Sequence, residues 1–239
     1  MTDAELAARA GIPLRILLAI RAVESGGRAS AVRFEPHVFW RKRKRLPGSA
    51  TGGQIRDSLT AAELAAVPYT PCSADWRARN GLSPCMRGNP PQPYIQAASL
   101  VGSETSRSAF ERAFRIDPVP AVEATSWGHY QVLGGHLLST QGGTPAQAVA
   151  AFDRDPLSVG RAMLISWFAD NAEARELARR GEVEALAMLY NGSAAWGRAL
   201  RRALSSIPED GGVVTATGIG AGAILFALVA GYAAYRWSR

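Results

Sequence analysis

Glu24 stands directly before Ser25-Gly26-Gly27, a carboxylic acid set against a two-glycine stop. Two further short motifs lie far downstream, Ser126-Trp127-Gly128-His129-Tyr130-Gln131 and Tyr190-Asn191-Gly192. An acid, a turn offering hydroxyl, indole, glycine backbone and amide, and a Tyr-Asn wall are what cleavage of a glycan strand calls for. Such cleavage needs a proton donor at the leaving oxygen and usually a second carboxylate for the anomeric carbon or a water. Glu24 suits the donor role. Burial on a helix face raises a carboxyl pKa, and the negative end of the helix pushes the same way. Glu35 is the best second carboxylate, in Phe34-Glu35-Pro36-His37-Val38-Phe39, flanked by aromatics rather than by solvating charges. Glu123 ranks behind it.

Around these acids, Ser25, His37, Ser126, Trp127, Gln131, Tyr190 and Asn191 are the candidates for holding a sugar strand. His37 is placed to hydrogen-bond Glu35 or to hold its loop. Gly128 lets backbone approach a ligand closely. Each also has a plainer reading. Glu24 can be a solvated helix end, Glu35 can pair with a nearby arginine, and Trp127 and Tyr130 can belong to the core. Tyr190-Asn191-Gly192 can be no more than a helix stop.

The elements that must position these residues read as helices. Thr2 with Glu5 forms a capping box that opens a short helix, and Gly11 stops it. Pro13 suits the first turn of a second helix, Leu14 to Glu24, in which Leu17 and Glu24 share a face. Thr60 caps a short helix to Ala66. Tyr94 to Phe114 has a helical pattern that Pro118 and Pro120 break. Thr144-Pro145 and Asp155-Pro156 are cap-plus-proline starts. Helices near 146–153, 157–170, 173–190 with a break at Gly181, and 194–206 follow. Alanine is abundant and β-branched runs are short, so the expected fold class is all-α.

The chain has 239 residues and a net charge of +7, enough length for a real core and one main domain. A basic balance serves nucleic acid, anionic lipid or an anionic polymer such as cell wall. No zinc-finger spacing or aromatic-basic sheet pattern appears, which argues against nucleic acid. The run Arg41-Lys42-Arg43-Lys44-Arg45 reads as a solvated face, or as an attraction to anionic wall or headgroups. Cys72 and Cys85 lie in a Pro-rich stretch from 68 to 93, where a bridge and two free thiols are both open. With only three histidines in the chain, no metal site and no cofactor are expected.

From Val213 to Tyr235 there is no charged residue, about the length of a bilayer-spanning helix. Tyr232, Tyr235 and Trp237 sit where aromatic anchors sit, and Arg236 and Arg239 close the segment. Gly218 and Gly222 have the spacing of a membrane helix-packing motif, a basis for weak self-association. The opening residues, with Asp3 and Glu5 first and Arg15 and Arg21 interrupting the apolar stretch, do not read as a signal peptide.

Together, Ala22-Val23-Glu24-Ser25-Gly26-Gly27, Phe34-Glu35-Pro36-His37-Val38-Phe39, Ser126 to Gly134 and Tyr190-Asn191-Gly192 resemble the peptidoglycan N-acetylmuramidase domain of phage and prophage endolysins. The likeness runs from about Ala7 to Leu204. More distantly, the Glu-Ser, Gly-x-x-Gln and Tyr-Asn elements look like those of goose-type lysozymes and lytic transglycosylases. The resemblance implies a lysozyme-like helical domain, Glu24 as the acid, Glu35 as the second acidic position, and peptidoglycan glycan strands as the partner. The Glu24–Glu35 spacing is shorter than the family pattern, and the stretch from Pro68 to Pro93 is not part of the likeness. The expected organisation is a domain at 1–207, a linker at 208–212, a transmembrane helix at 213–235 and a basic tail at 236–239. The expected localisation is a single-pass membrane anchor acting on periplasmic peptidoglycan. A lytic transglycosylase and a non-catalytic, holin-like wall-binding protein are the alternatives.

Overall fold

The computed structural model describes residues 1–69, 86–87, 92–93, 106–192 and 194–208. The first elements are α1 (Asp3–Ala10), α2 (Leu14–Ser25), β1 (Val32–Phe34), α3 (Pro36–Arg43), α4 (Gly52–Asp57) and α5 (Ala61–Ala66). Then come β2 (Met86–Arg87), β3 (Gln92–Pro93), α6 (Ser106–Ile116), α7 (Pro118–Glu123), β4 (Thr125–Trp127) and β5 (Val132–Leu133). The last are α8 (Gly134–Gln141), α9 (Pro145–Arg154), α10 (Pro156–Asp170), α11 (Ala172–Arg180), α12 (Val183–Tyr190) and α13 (Ala194–Ser205). Strands β1, β4 and β5 form one sheet in that order, and β2 pairs antiparallel with β3, Met86 opposite Pro93.

The caps read from the sequence are present. Thr2 accepts from the Glu5 N–H while Glu5 reaches back, and Gly11 ends α1 in the left-handed region. Thr60 with Glu63 and Thr144 with Gln147 repeat the same box. Each such cap is worth about 1 kcal/mol. Pro118 opens α7 rather than only ending α6, because a proline at the first helical position gives up no hydrogen bond.

The all-α expectation is corrected to a mostly helical fold with small sheets. These strands are two or three residues long, too short for an alternating pattern to show in sequence. The membrane expectation is corrected as well. Among the described residues no helix is long and apolar enough to cross a membrane. The longest of them, α10, has 15 residues, short of the roughly 20 a bilayer requires. The segment 213–235, with Gly218 and Gly222, lies outside the described residues, as do Cys72 and Cys85. The single-pass anchor, the membrane as a partner and the membrane localisation therefore have no described element beneath them.

The chain divides into two compact units. The first comprises Met1–Ala31, Trp127–Val132 and the described residues from His136 onward; the second comprises Val32–Ser126 and Leu133–Gly135. In the first unit α2 packs on α1 and α13, α1 on α10, and α12 on α11 and α13. Leu6, Leu17, Ile20, Phe152, Met163, Phe168, Leu186 and Trp196 fill its core. In the second unit α3 packs on α4 and α7, and α6 packs on α7 and β1. Phe34, Phe39, Trp40, Phe110 and Val122 are buried there, and the Trp40 indole N–H donates to the Val67 carbonyl at 3.0 Å.

The basic run is largely tied to the protein itself. Lys42 meets Glu123 at 3.0 Å, Arg43 meets Asp117 at 3.1 Å and Lys44 meets Glu63 at 2.7 Å. Arg41 is buried and donates to the Gly48 carbonyl. Cations engaged in this way exert a reduced pull on outside anions, and Glu123 is engaged with Lys42 rather than standing ready as an acid.

Candidate active site

Glu24 is the penultimate residue of α2, half-buried at the edge of the core that Leu17 and Ile20 build two turns and one turn earlier. Gly26 and Gly27 follow with φ of +59° and +85°, so the chain turns away immediately after the acid. No side chain larger than hydrogen adopts these angles cheaply. Ser25 is buried, and its hydroxyl accepts from the Gly27 N–H at 3.2 Å, which fixes the turn.

Asn191 comes to the acid from the C-terminal end of α12. Its Nδ2 donates to Glu24 Oε1 at 3.3 Å. The side chain is only 6 % exposed, and its Oδ1 has no hydrogen-bond partner among the described residues. Tyr190, one residue earlier, is locked in place. Its hydroxyl donates to the Tyr130 carbonyl at 2.6 Å. Its ring stacks on Trp196 at 5.2 Å and meets Trp167 edge-on at 4.6 Å. The Tyr-Asn pair therefore connects three things: the acid, the downstream motif and an aromatic cluster.

The downstream motif is a braced turn. Gly128, at φ +75°, donates its N–H to the Ala31 carbonyl at 2.8 Å. Gln131, itself at φ +49°, donates from Nε2 to the carbonyls of Gly128 and Ala31 at 3.0 and 3.3 Å. Trp127 is fully buried against Phe152, edge to face at 5.0 Å. Tyr130 is also buried, and burial pushes its phenol up to about 12, with Asp3 adding to the effect. His129 is held below the usual histidine range, first by burial and then by the nearby Arg21. Of the residues singled out for sugar contact, Ser25, Trp127, Gln131, Tyr190 and Asn191 belong to the first unit and are buried, and Asn191 hydrogen-bonds Glu24. Ser126 belongs to the second unit and is buried in β4.

Glu35 and His37 form a separate group in the second unit. Glu35 caps α3, its backbone N–H donating to the Ala124 carbonyl at 2.9 Å. Its carboxylate lies 3.7 Å from His37 Nε2 and 3.6 Å from Arg33. Burial raises the Glu35 pKa, opposed by Arg33 and Arg41. Burial depresses His37 to about 4, and the same two arginines add to that. The pair is held toward its uncharged forms. Among the described residues no group of His, Cys, Asp and Glu is arranged to hold a metal ion.

Sequence reasoning missed a set of charges beside the turn. Asp3 pairs with Arg21 at 2.6 Å and with Arg161 at 3.5 Å. The available signal was Arg21 itself, one of two arginines in a largely apolar helix and three residues before the acid.

A family model described as N-acetylmuramidase matches residues 13–206, most of the chain. The chain belongs to the N-acetylmuramidase family. It is a muramidase-type glycoside hydrolase of peptidoglycan, and the family resemblance carried by the four motifs is borne out. The crystal structure of a Burkholderia AP3 phage endolysin is similar to this muramidase with a TM-score of 0.53. The two share 21% identity over 86% of this chain and 69% of that one, a likeness that speaks for the fold. Among curated proteins none matches the chain at a significant level.

Proposed function

We propose that this muramidase cleaves the β-1,4 bond between N-acetylmuramic acid and N-acetylglucosamine, with Glu24 as the general acid. The observation that carries this reading is the setting of Glu24: a half-buried carboxyl at the end of α2, hydrogen-bonded by a buried amide. The place of Glu24 at the C-terminal end of α2 sets the carboxyl beside the negative end of the helix dipole. The Asn191 amide fixes the direction of the carboxyl. In the reaction the Glu24 proton passes to the glycosidic oxygen as the bond to the anomeric carbon breaks, and water completes the hydrolysis.

Glu35 is the sequence's second carboxylate, and its burial bears on how the anomeric carbon is handled. Burial raises the Glu35 pKa, which makes its carboxylate a stronger base once ionised and lowers the fraction ionised at a given pH. Glu35→Gln with full activity and 1,6-anhydro product ends would point to attack by the muramic 6-hydroxyl instead of water. For the main reading, Glu24→Gln is assayed by release of dye from labelled cell wall. A loss of about 100-fold or more is expected, in the range of an acid catalyst's contribution. Activity near that of the unsubstituted protein would sink the reading.

A further inference from the structure

Arg21 and Glu24 are three residues apart on α2, a spacing that places their side chains as neighbours on one helix face. An arginine free to meet that carboxyl would favour its charged form, the wrong form for an acid catalyst. The structure shows Arg21 engaged elsewhere. Its Nη1 donates to Asp3 Oδ2 at 2.6 Å, with both side chains about one third exposed or less. Asp3 is held in turn, since it opens α1 directly behind the Thr2–Glu5 capping box. Its other oxygen faces Arg161 of α10 at 3.5 Å.

We propose that Asp3 is a positioning residue for the reaction: it holds the Arg21 guanidinium on α1 and so keeps it off Glu24. The inference rests on Glu24 being the acid. Asp3 acts through Arg21 alone and touches no sugar. Among the described residues, charged and titratable groups near the pair include Arg161 from α10, His129 and Tyr130 from the turn, and Glu5 of α1. Arg28, just after the helix, is exposed and donates to the Ser25 carbonyl. Asn191, which is uncharged, reaches Glu24 from the end of α12. None of these replaces the Asp3 charge at the Arg21 guanidinium. Without it, the Arg21 guanidinium loses its carboxylate partner one turn from the acid.

The test is the pH–rate profile of the full chain on purified cell wall. A general acid sets the high-pH limb, because activity falls as the acid loses its proton. Asp3→Asn, close in shape, is expected to move that limb down by roughly one pH unit, which is about a tenfold loss above it. The double variant Asp3→Asn with Arg21→Gln is expected to return the limb to its original position, and Asp3→Glu to hold it there. A purely structural role for Asp3 would lower activity evenly across pH and would not be rescued by removing Arg21. An unmoved limb in Asp3→Asn, or a double variant no better than the single, overturns the proposal. If Glu24→Gln is inactive in the same assay, that failure belongs to Asp3 alone; if Glu24→Gln is active, the Glu24 reading itself has failed.

Discussion

Replacing Asn191 by aspartate converts a polar group that hydrogen-bonds Glu24 into a second carboxylate with almost the same shape. The amide nitrogen lies 3.3 Å from Glu24 Oε1. Two like charges at that separation repel by about 5 kcal/mol at an effective dielectric near 20. Rotation of the new side chain and entry of water reduce this, leaving a shift of roughly one to three pK units. The two carboxyls then titrate as a pair that shares a proton to higher pH, and the upper apparent pKa belongs to both. The high-pH limb of the rate profile should therefore move up by at least about one unit, even if the maximum rate falls because the donor N–H is gone. Asn191→Ala supplies the control: it removes the same donor without adding charge and should lower the rate with no comparable move of the limb. The assay is turbidity loss of purified cell wall between mildly acidic and alkaline pH. Superimposable limbs for Asn191→Asp and Asn191→Ala would refute the claim that Asn191 works by touching the catalytic acid.

How much of this was legible in the sequence depends on how local the physics is. Capping boxes, glycine stops and proline starts are settled within four or five residues, so α1, α2, α5, α9 and α10 stand close to where their signals put them. The short strands were not legible, because pairing of Val32–Phe34 with β4 depends on residues about a hundred positions away. The site shows the same division. Glu24 and Asn191 were singled out by residue type and meet in the fold, but the partners of Glu24, Gln131, Tyr190 and Asn191 could not be read. An exposed tyrosine and a tyrosine that stacks on Trp196 and donates to the Tyr130 carbonyl look identical in a sequence. Trp127 is the sharpest case, since indoles serve sugar stacking and core packing equally well, and its burial against Phe152 is visible in the fold alone. The Asp3–Arg21 pair bridges two helices, and no periodicity within either helix announces it.

Two further outcomes follow from burial. Trp127→Ala removes a fully buried ring, which typically costs about 3–5 kcal/mol. A large fall in melting temperature is expected, whereas a stable variant with only a raised KM would show the indole to be a sugar contact. His37 gives a pH signature in the second unit. Its folded pKa is depressed to about 4 from an ordinary 6.5, so the unfolded chain binds more protons between those values. Stability is then complete above about pH 6.5 and declines as pH falls toward 4, by at most about 3 kcal/mol. Glu35 works in the opposite sense. Its folded pKa is raised, so its contribution is complete below the unfolded carboxyl value and is lost as pH rises through the folded one. His37→Gln should flatten the acid side of the stability curve while leaving the Glu35 slope, and Glu35→Gln should do the reverse. Denaturant melts across that pH range measure both. A His37→Gln curve running parallel to that of the unsubstituted protein would mean the imidazole is not held neutral by its burial.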